Sequence, residues 1–507
     1  MSEPAVSAAQ LIGRLRADLV AAEYTVERVE AVLGPVASAA LGREQALPAV
    51  RAAEASGEPA AVLLRCLVLG RPVPRELLDA ALPGLGTDGA VRLGLVRAAG
   101  ADPGDEVRAE VELRPYAAED AAGRADWWLV SDLGETATDA PLRTDHVLGV
   151  GGASVMLAQC TIRTPVGRVL DVGTGCGVQA LHAARHARSV TATDVSERAL
   201  DLAAVNAALN SVVLDLRHGS LLEPVAGERY DLVVSNPPFV ITPRGGDVPR
   251  YEYRDGGLAG DAVVQRLVAG VAGVLEPGGV AQLLGNWEHR AGEGWRDRVG
   301  GWLEGTGLDA WVVQREVQDP AEYAELWIRD GGQHRGPAFE SLYAAWLDDF
   351  AARGVEGVGF GLLTLRRPVS GEPTLRRLEE VPGPVRQPLG EHLAAGLAAH
   401  DWLAARDDDA LAAARLRVAP DVTDERHHVP GEPDPSVLLL RQGGGFGRAV
   451  PASGELAGFV GACDGDLTVG QVLAGIAVIL EREVAGVRAE LLPVVRELVA
   501  DGLLLPV

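Results

Sequence analysis

Two stretches of this chain hold residues whose types and spacing could do chemistry. The first, VLDVGTGCGVQAL, begins at Val169. It runs an apolar strand into Asp171 and places Gly173, Gly175 and Gly177 at alternate positions before a helical pattern. Glycine is required where a backbone must turn tightly and lie against a ligand with no Cβ in the way. Such a turn at the carboxyl edge of a parallel sheet faces the crevice where open α/β folds bind ligands. The next predicted strand ends at Asp194, where a carboxylate can accept from both hydroxyls of a ribose. The glycines lack the G-x-G-x-x-G spacing that seats a pyrophosphate on a helix N-terminus, and an acid entering the turn would repel one. The turn suits a nucleoside carrying an ammonium group and no phosphate.

The second stretch, VVSNPPF, spans Val233 to Phe239 and ends the fourth predicted strand. Two adjacent prolines fix φ and remove two N–H groups, which stiffens the loop and leaves carbonyls free to accept. The side-chain carbonyl of Asn236 and the backbone carbonyl of Pro237 can hold both protons of a planar amino group, and Phe239 can stack on the flat group that bears it. Such a nitrogen is a poor nucleophile because its lone pair is delocalised. Two fixed acceptors favour its pyramidal form and stabilise the positive charge that develops there. S-adenosylmethionine fits both stretches: it carries an ammonium group and a ribose, and it offers a methyl group on a good leaving group. In-line approach supplies most of the remaining help. The scheme needs no metal and no covalent intermediate.

Strand–helix alternation must position these loops. Residues 168–173, 189–194, 214–219, 231–236, 280–287, 309–317 and 359–367 read as seven strands, most of them nearly continuous apolar runs. VQALHAARHA, RALDLAAVNAALN and AVVQRLVAGVAGVL read as amphipathic helices between them. The pattern predicts a parallel sheet covered on both faces. Residues 1–125 read as mostly helical, ending in a short strand and a hairpin, and the chain's last segment reads as helix, turn, helix and short strand. The expected architecture is therefore α/β. A Rossmann-like, seven-stranded, mostly parallel sheet over 126–368 is flanked by a mostly helical, winged-helix-like N-terminal domain (1–125) and a winged-helix-like C-terminal domain (369–507). The Pro- and Gly-containing passage from Ser370 to Pro388 reads as a linker.

On the two loops quoted above, residues 126–368 resemble class I S-adenosylmethionine-dependent methyltransferases of the Asn-Pro-Pro-Phe group. That group includes N6-adenine, ribosomal small-subunit guanine-N2 and release-factor glutamine methyltransferases. The resemblance implies that Asp171, Gly173 and Gly175 line the methionine part of the donor and that Asp194 holds its ribose. Thr174, Gly177, Val195 and Leu221 complete the expected donor contacts, and Asn236, Pro237 and Phe239 hold the target nitrogen. Many relatives carry an acid for the donor's adenine after the third strand. Here the segment reads RHGSLLEP, so Ser220 or backbone must serve. DHVLGVGGAS (145–154) lies where relatives close over the donor, which makes His146 a further candidate contact.

Composition bounds the partners. The 507 residues include 71 acids against 46 basic residues, for a formal net charge of −25. All the basic residues are arginine, and no section hides a basic tail. That balance argues against non-specific binding to polyanions, which rests on neutralising phosphates. Cys66, Cys160, Cys176 and Cys463 form no C-x-x-C pair, so neither a disulfide framework nor a structural zinc is expected. His427-His428 has no spaced partner ligands. No apolar run is long enough for a membrane span, and the first residues show no signal-peptide pattern, so a cytoplasmic protein is expected. GGGFG (443–447) reads as a hairpin turn, GGQ (331–333) as a chance match to the release-factor tripeptide, and Trp127-Trp128 as packing residues. Tyr251, Tyr253 and Arg254 follow the asparagine loop closely enough to touch substrate. Three functions stay open: methylation of a base amino group, in RNA before DNA; methylation of a protein glutamine; and a non-catalytic regulator that binds the donor. Acidity favours a protein acceptor, which needs no phosphate neutralisation.

Overall fold

The computed structural model describes residues 7–138, 142–245 and 248–507. They fall into two compact units. The first comprises Met1–Ala158, Thr164–Pro373 and Arg377–Glu379; the second comprises Gln159–Arg163, Thr374–Arg376 and Glu380–Val507.

The centre of the first unit is a large sheet. Its strands are β1 (Val166–Val172), β2 (Ala187–Asp194), β3 (Asp215–His218), β4 (Tyr230–Ser235), β5 (Leu275–Arg290), β6 (Asp309–Gln318), β7 (Val355–Arg366) and β8 (Arg376–Glu380). The spatial order is β8-β6-β7-β5-β4-β1-β2-β3. The pairs β1–β2, β2–β3, β1–β4 and β4–β5 are parallel, while β7 runs antiparallel to both β5 and β6. Chain order reverses at β1–β4, so the loops that leave these two strands open on the same crevice. Helices α1 (Val178–Ala183), α2 (Glu197–Leu209) and α3 (Ala262–Val271) connect the parallel strands. Val169, Leu170, Val233 and Val234 of the two central strands are buried, as strands covered on both faces require.

Seven strands were expected and the sheet has eight. β8 is RRLEE, inside the passage that reads as a linker. Its charges hid it from an apolar-run search, yet they suit an edge strand. The Trp311 indole N–H donates to Glu379 (2.7 Å), the Arg377 guanidinium lies 5.1 Å from the Trp311 ring centroid, and Leu378 packs against the core.

Ahead of the sheet come four helices between Ala8 and Leu67, then a three-stranded sheet of Val73–Pro74, Glu106–Ala109 and Val96–Ala98 with two short helices between its strands. The expected hairpin within EVRAEVELRPY is split. Glu106–Ala109 stays in the small sheet, while Glu112–Asp120 pairs with Gly123–Ser131 in a separate hairpin. Residue 126 thus lies inside a strand. This hairpin joins the core: Leu113, Leu129 and Val130 share one apolar cluster with Cys176, Val178 and Leu181. Asn206 on α2 and Asn210, which caps its C-terminal end, each bond both the N–H and the carbonyl of a strand residue, Val130 and Trp128 respectively. Trp127 stacks on Tyr116 (5.9 Å), and the Trp128 indole donates to the Tyr24 carbonyl (2.7 Å), so both tryptophans pack.

In the second unit, Val469–Ile479 and Val484–Ala500 precede the strand Leu504–Pro506, which pairs with Arg415–Val418. GGGFG joins the antiparallel strands Val437–Gln442 and Ala449–Pro451. Among the described residues no helix is long and apolar enough to cross a membrane.

Candidate functional site

The loops after β1, β2, β3 and β4 converge on one cavity of about 380 Å³, within the range of small-ligand sites. Its donor side is built of backbone. Gly173, Gly175 and Gly177 all have positive φ (70°, 55° and 89°). A Cβ added at Gly173 or Gly175 would meet no atom within 4 Å, because their bare backbone faces open space. One at Gly177 would press on Ala203 at 3.2 Å, so this glycine serves helix packing. The N–H groups of Gly173 and Thr174 donate to the Thr193 carbonyl (2.9 and 3.0 Å). Asp194 accepts from the Gly175 N–H (2.8 Å) on Oδ2 and from the Ser196 N–H (2.9 Å) on Oδ1. Each oxygen keeps a second lone pair for a ligand hydroxyl.

Asp171 is fully buried. Its Oδ2 accepts from the Thr174 hydroxyl (2.6 Å). Burial pushes its carboxyl up to about 7, and the Thr174 bond only partly offsets that. A second support comes from α2, where the Asn206 amide donates to the Cys176 carbonyl inside the glycine turn (2.8 Å). After β3 the Gly219 N–H donates to the Asp194 carbonyl (2.9 Å), which brings Ser220 and Leu221 to the cavity wall.

The acceptor side is built on β4. The Ser235 hydroxyl donates to the Val172 carbonyl (2.7 Å), locking the two strand ends together. Asn236 follows, lining the cavity with a buried Oδ1 that has no hydrogen-bond partner among the described residues. A buried acceptor left open costs free energy unless a ligand supplies the donor. The chain beyond is pinned: the Gly256 N–H donates to the Pro238 carbonyl (3.2 Å), and the Val240 N–H to the Arg254 carbonyl (2.8 Å). The Ile241 N–H donates to the Tyr323 hydroxyl (2.9 Å), which Asn286 also reaches (2.8 Å).

Over the cavity, residues 142–150 meet residues 248–258 where the Glu252 N–H donates to the Thr144 carbonyl (2.9 Å). His146 is buried there, with its ring edge-on to Tyr253 (5.7 Å). Burial lowers its pKa, opposed by Asp132 at 4.0 Å.

Of the residues singled out from sequence, Gly173, Thr174, Gly175, Asp194, Val195, Ser220, Leu221, Asn236, Pro237 and His146 line this one cavity. Tyr253 lines it as well, whereas Asp171, Gly177, Phe239, Tyr251 and Arg254 do not. Asp171 and Gly177 lie beneath the turn, and Phe239 packs edge-on against Phe360 (6.4 Å). The lining also includes Gln179, whose amide donates to the Ser154 carbonyl (2.7 Å), and Gly256, Val263 and Arg266. Gln179 lies within the quoted glycine stretch but was not singled out there, while Gly256, Val263 and Arg266 come from segments with no motif of their own. Only their distance along the chain from the two loops could have suggested the last three.

The parallel sheet with its reversal at β1–β4, and the two loops that meet there, are the features on which the core resembles class I S-adenosylmethionine-dependent methyltransferases of the Asn-Pro-Pro-Phe group. Methyltransferases of this family use S-adenosylmethionine. Residues 149–293 match the family described as Methyltransferase small domain, while residues 21–110 and 394–506 match two domains of unknown function, DUF7059 and DUF7782. Over 181 residues the chain is 38% identical to the release factor glutamine methyltransferase of Xylella fastidiosa, covering 33% of this chain and 63% of that protein. It is 34% identical over 122 residues to ribosomal RNA small subunit methyltransferase C of Alcanivorax borkumensis, covering 24% of this chain and 33% of that one. Among solved structures, the T. thermophilus 16S rRNA methyltransferase RsmC in complex with AdoMet and guanosine is 20% identical with a TM-score of 0.27, covering 52% of this chain and 68% of that one. The chain thus spans less than two thirds of the length of the Xylella relative.

Proposed function

We propose that the protein transfers a methyl group from S-adenosylmethionine to an exocyclic amino nitrogen of a nucleic-acid base, in RNA before DNA, and that it acts in the cytoplasm. The observation that supports methyl transfer to a planar amino nitrogen is the open Oδ1 of Asn236 on the same cavity as Asp194 and the bare glycine turn. The donor supplies a methyl group on a sulfonium. Gly173 and Gly175 give its methionine end a surface without Cβ atoms, Asp194 accepts from its ribose, and Val195 and Leu221 offer apolar contact to its adenine. Asn236 and the Pro237 carbonyl accept hydrogen bonds from the two amino protons and hold the nitrogen's lone pair toward the methyl. As the N–C bond forms, the S–C bond breaks, S-adenosylhomocysteine leaves, and one amino proton passes to solvent. A base inside a duplex cannot reach this depth, so the target is unpaired or flipped. The segments 1–125 and 369–507 are winged-helix-like modules that orient the polymer.

A second reading, methylation of a protein glutamine, is favoured by the likeness to release factor and uL3 glutamine methyltransferases. It uses the same donor side and the same Asn236. Incubating the protein and radiolabelled S-adenosylmethionine with cell extract separates the two. Label in RNA supports the first reading, and label in protein the second. No incorporation above that of Asn236→Ala counts against both.

A further inference from the structure

The acceptor mouth carries features that an amide acceptor would not use. Phe239, the aromatic of the Asn-Pro-Pro-Phe loop, does not line the cavity. It packs between two apolar clusters, pairs with Asp255, and meets Phe360 edge-on. The aromatic ring on the cavity wall is Tyr253. Its hydroxyl donates to Asp330 (2.7 Å), the His146 ring abuts it at 5.7 Å, and the Arg254 guanidinium lies 5.8 Å from its centroid. The ring is therefore held before a ligand arrives, so stacking on it costs little side-chain entropy.

The charges around that ring are also unusual for this chain. Arg244 is paired with Asp255, Arg254 with Asp330, Arg298 with Asp261, and Arg353 with Glu288. Exposed Arg250, three residues before Tyr253 and outside the cavity lining, donates to the Arg244 carbonyl (2.9 Å), and exposed Arg266 lies on the cavity wall; neither forms a salt bridge among the described residues. In a chain with 71 acids, two arginines without a carboxylate partner among the described residues, one on the cavity wall and one three residues from Tyr253, favour an anion. Glu252 stands on the same wall, where its carboxylate can accept from a base N–H.

Building on the methyltransferase reading above, we propose that Tyr253, rather than Phe239, is the face on which the acceptor base stacks. Arg250 and Arg266 bind that nucleotide's phosphates, so the acceptor is a single-stranded RNA segment. A peptide glutamine has neither an aromatic face nor a phosphate and would leave both features idle.

Fluorescence anisotropy with labelled single-stranded RNA hexamers, at saturating S-adenosylhomocysteine, tests this on the full chain. S-Adenosylhomocysteine affinity is measured alongside for every variant. Tyr253→Ala should weaken RNA binding about tenfold, with Tyr253→Trp restoring it. Arg250→Ala and Arg266→Ala should each lower the slope of log affinity against log salt by about 1. Phe239→Leu should show instead as a lower Tm. The proposal is overturned if Phe239→Leu costs RNA affinity and Tyr253→Ala does not, or if the arginine variants keep the wild-type salt slope. It is also overturned if the protein binds S-adenosylhomocysteine and methylates a glutamine peptide but not RNA, which leaves the methyltransferase reading standing. Failure to bind S-adenosylhomocysteine at all would remove that reading too.

Discussion

The two ends of the cavity are constructed differently. The end proposed for the donor presents main chain: two glycines with no side chain, and a carboxylate whose oxygens are already anchored by the N–H groups of Gly175 and Ser196. The end proposed for the acceptor presents side chains, among them Asn236 with an open Oδ1, the ring of Tyr253 and Arg266, which has no salt bridge among the described residues. A donor common to many enzymes can be held by geometry that is inseparable from the sheet. An acceptor that differs between enzymes is better read by groups that can change without unfolding it. This separation predicts that variants at the two ends fail in different ways.

The largest expected effect is at the acceptor end. Asn236→Ala removes a preorganised acceptor at the reacting nitrogen and should lower the transfer rate by about 100-fold or more. Donor affinity, measured by calorimetry, should stay within about twofold, since the lost group bears on the nitrogen's protons. If both fall together, the two ends are not separable and the comparison fails. Asp194→Asn is the mirror case. It keeps the size of the side chain but loses the charge that strengthens hydrogen bonds to a ribose. Donor affinity should drop roughly tenfold to a hundredfold, with the rate at saturating donor little changed. Unchanged affinity would remove Asp194 from the ribose.

How much of this was legible in the sequence follows the same division. The donor end is local: one strand, one turn and the next strand's last residue carry it, and Gly173, Gly175 and Asp194 meet as the spacing implied. The acceptor end was legible as far as Pro237. The position of Phe239 depends on Phe360, more than a hundred residues away, and on the aromatic cluster around Tyr323. No local pattern reports which way such a ring turns. In the same way, the charges of RRLEE concealed β8, and the fusion of the hairpin to α2 rests on two asparagines, one inside an ordinary amphipathic helix and one at its C-terminal cap. Tertiary pairing decided each of these.

Asn206 offers a smaller test, of how the donor end is supported. Its amide satisfies the Val130 N–H and carbonyl and reaches the Cys176 carbonyl in the glycine turn. Asn206→Leu would strand these buried groups at about 1–3 kcal/mol each. A Tm lowered by several degrees is expected, with donor affinity weakened a few-fold and acceptor affinity nearly intact. A variant with wild-type Tm and donor affinity would show that the hairpin does not brace the turn.

The smallest effect, and the one most specific to the donor end, concerns Asp171. Its carboxyl sits at about 7 in the folded protein against an ordinary value of 3.8, because burial outweighs the Thr174 hydrogen bond. Between those values the folded protein holds a proton that the unfolded chain has released. Stability from this group is therefore complete below about pH 4 and is lost as pH rises through about 7. Asp171→Asn keeps the shape and an acceptor for the Thr174 hydroxyl but has no proton to lose. Urea midpoints from about pH 5 to about pH 8 should fall more steeply for the natural protein than for the variant, by at most a few kcal/mol in stability. A cationic donor would favour the ionised carboxylate, so donor affinity should climb through about pH 7 in the natural protein and stay flatter in Asp171→Asn. A shared stability slope would mean that Asp171 is ionised throughout. A stability difference without an affinity difference would place it, as the cavity lining does, behind the turn rather than in contact with the ligand.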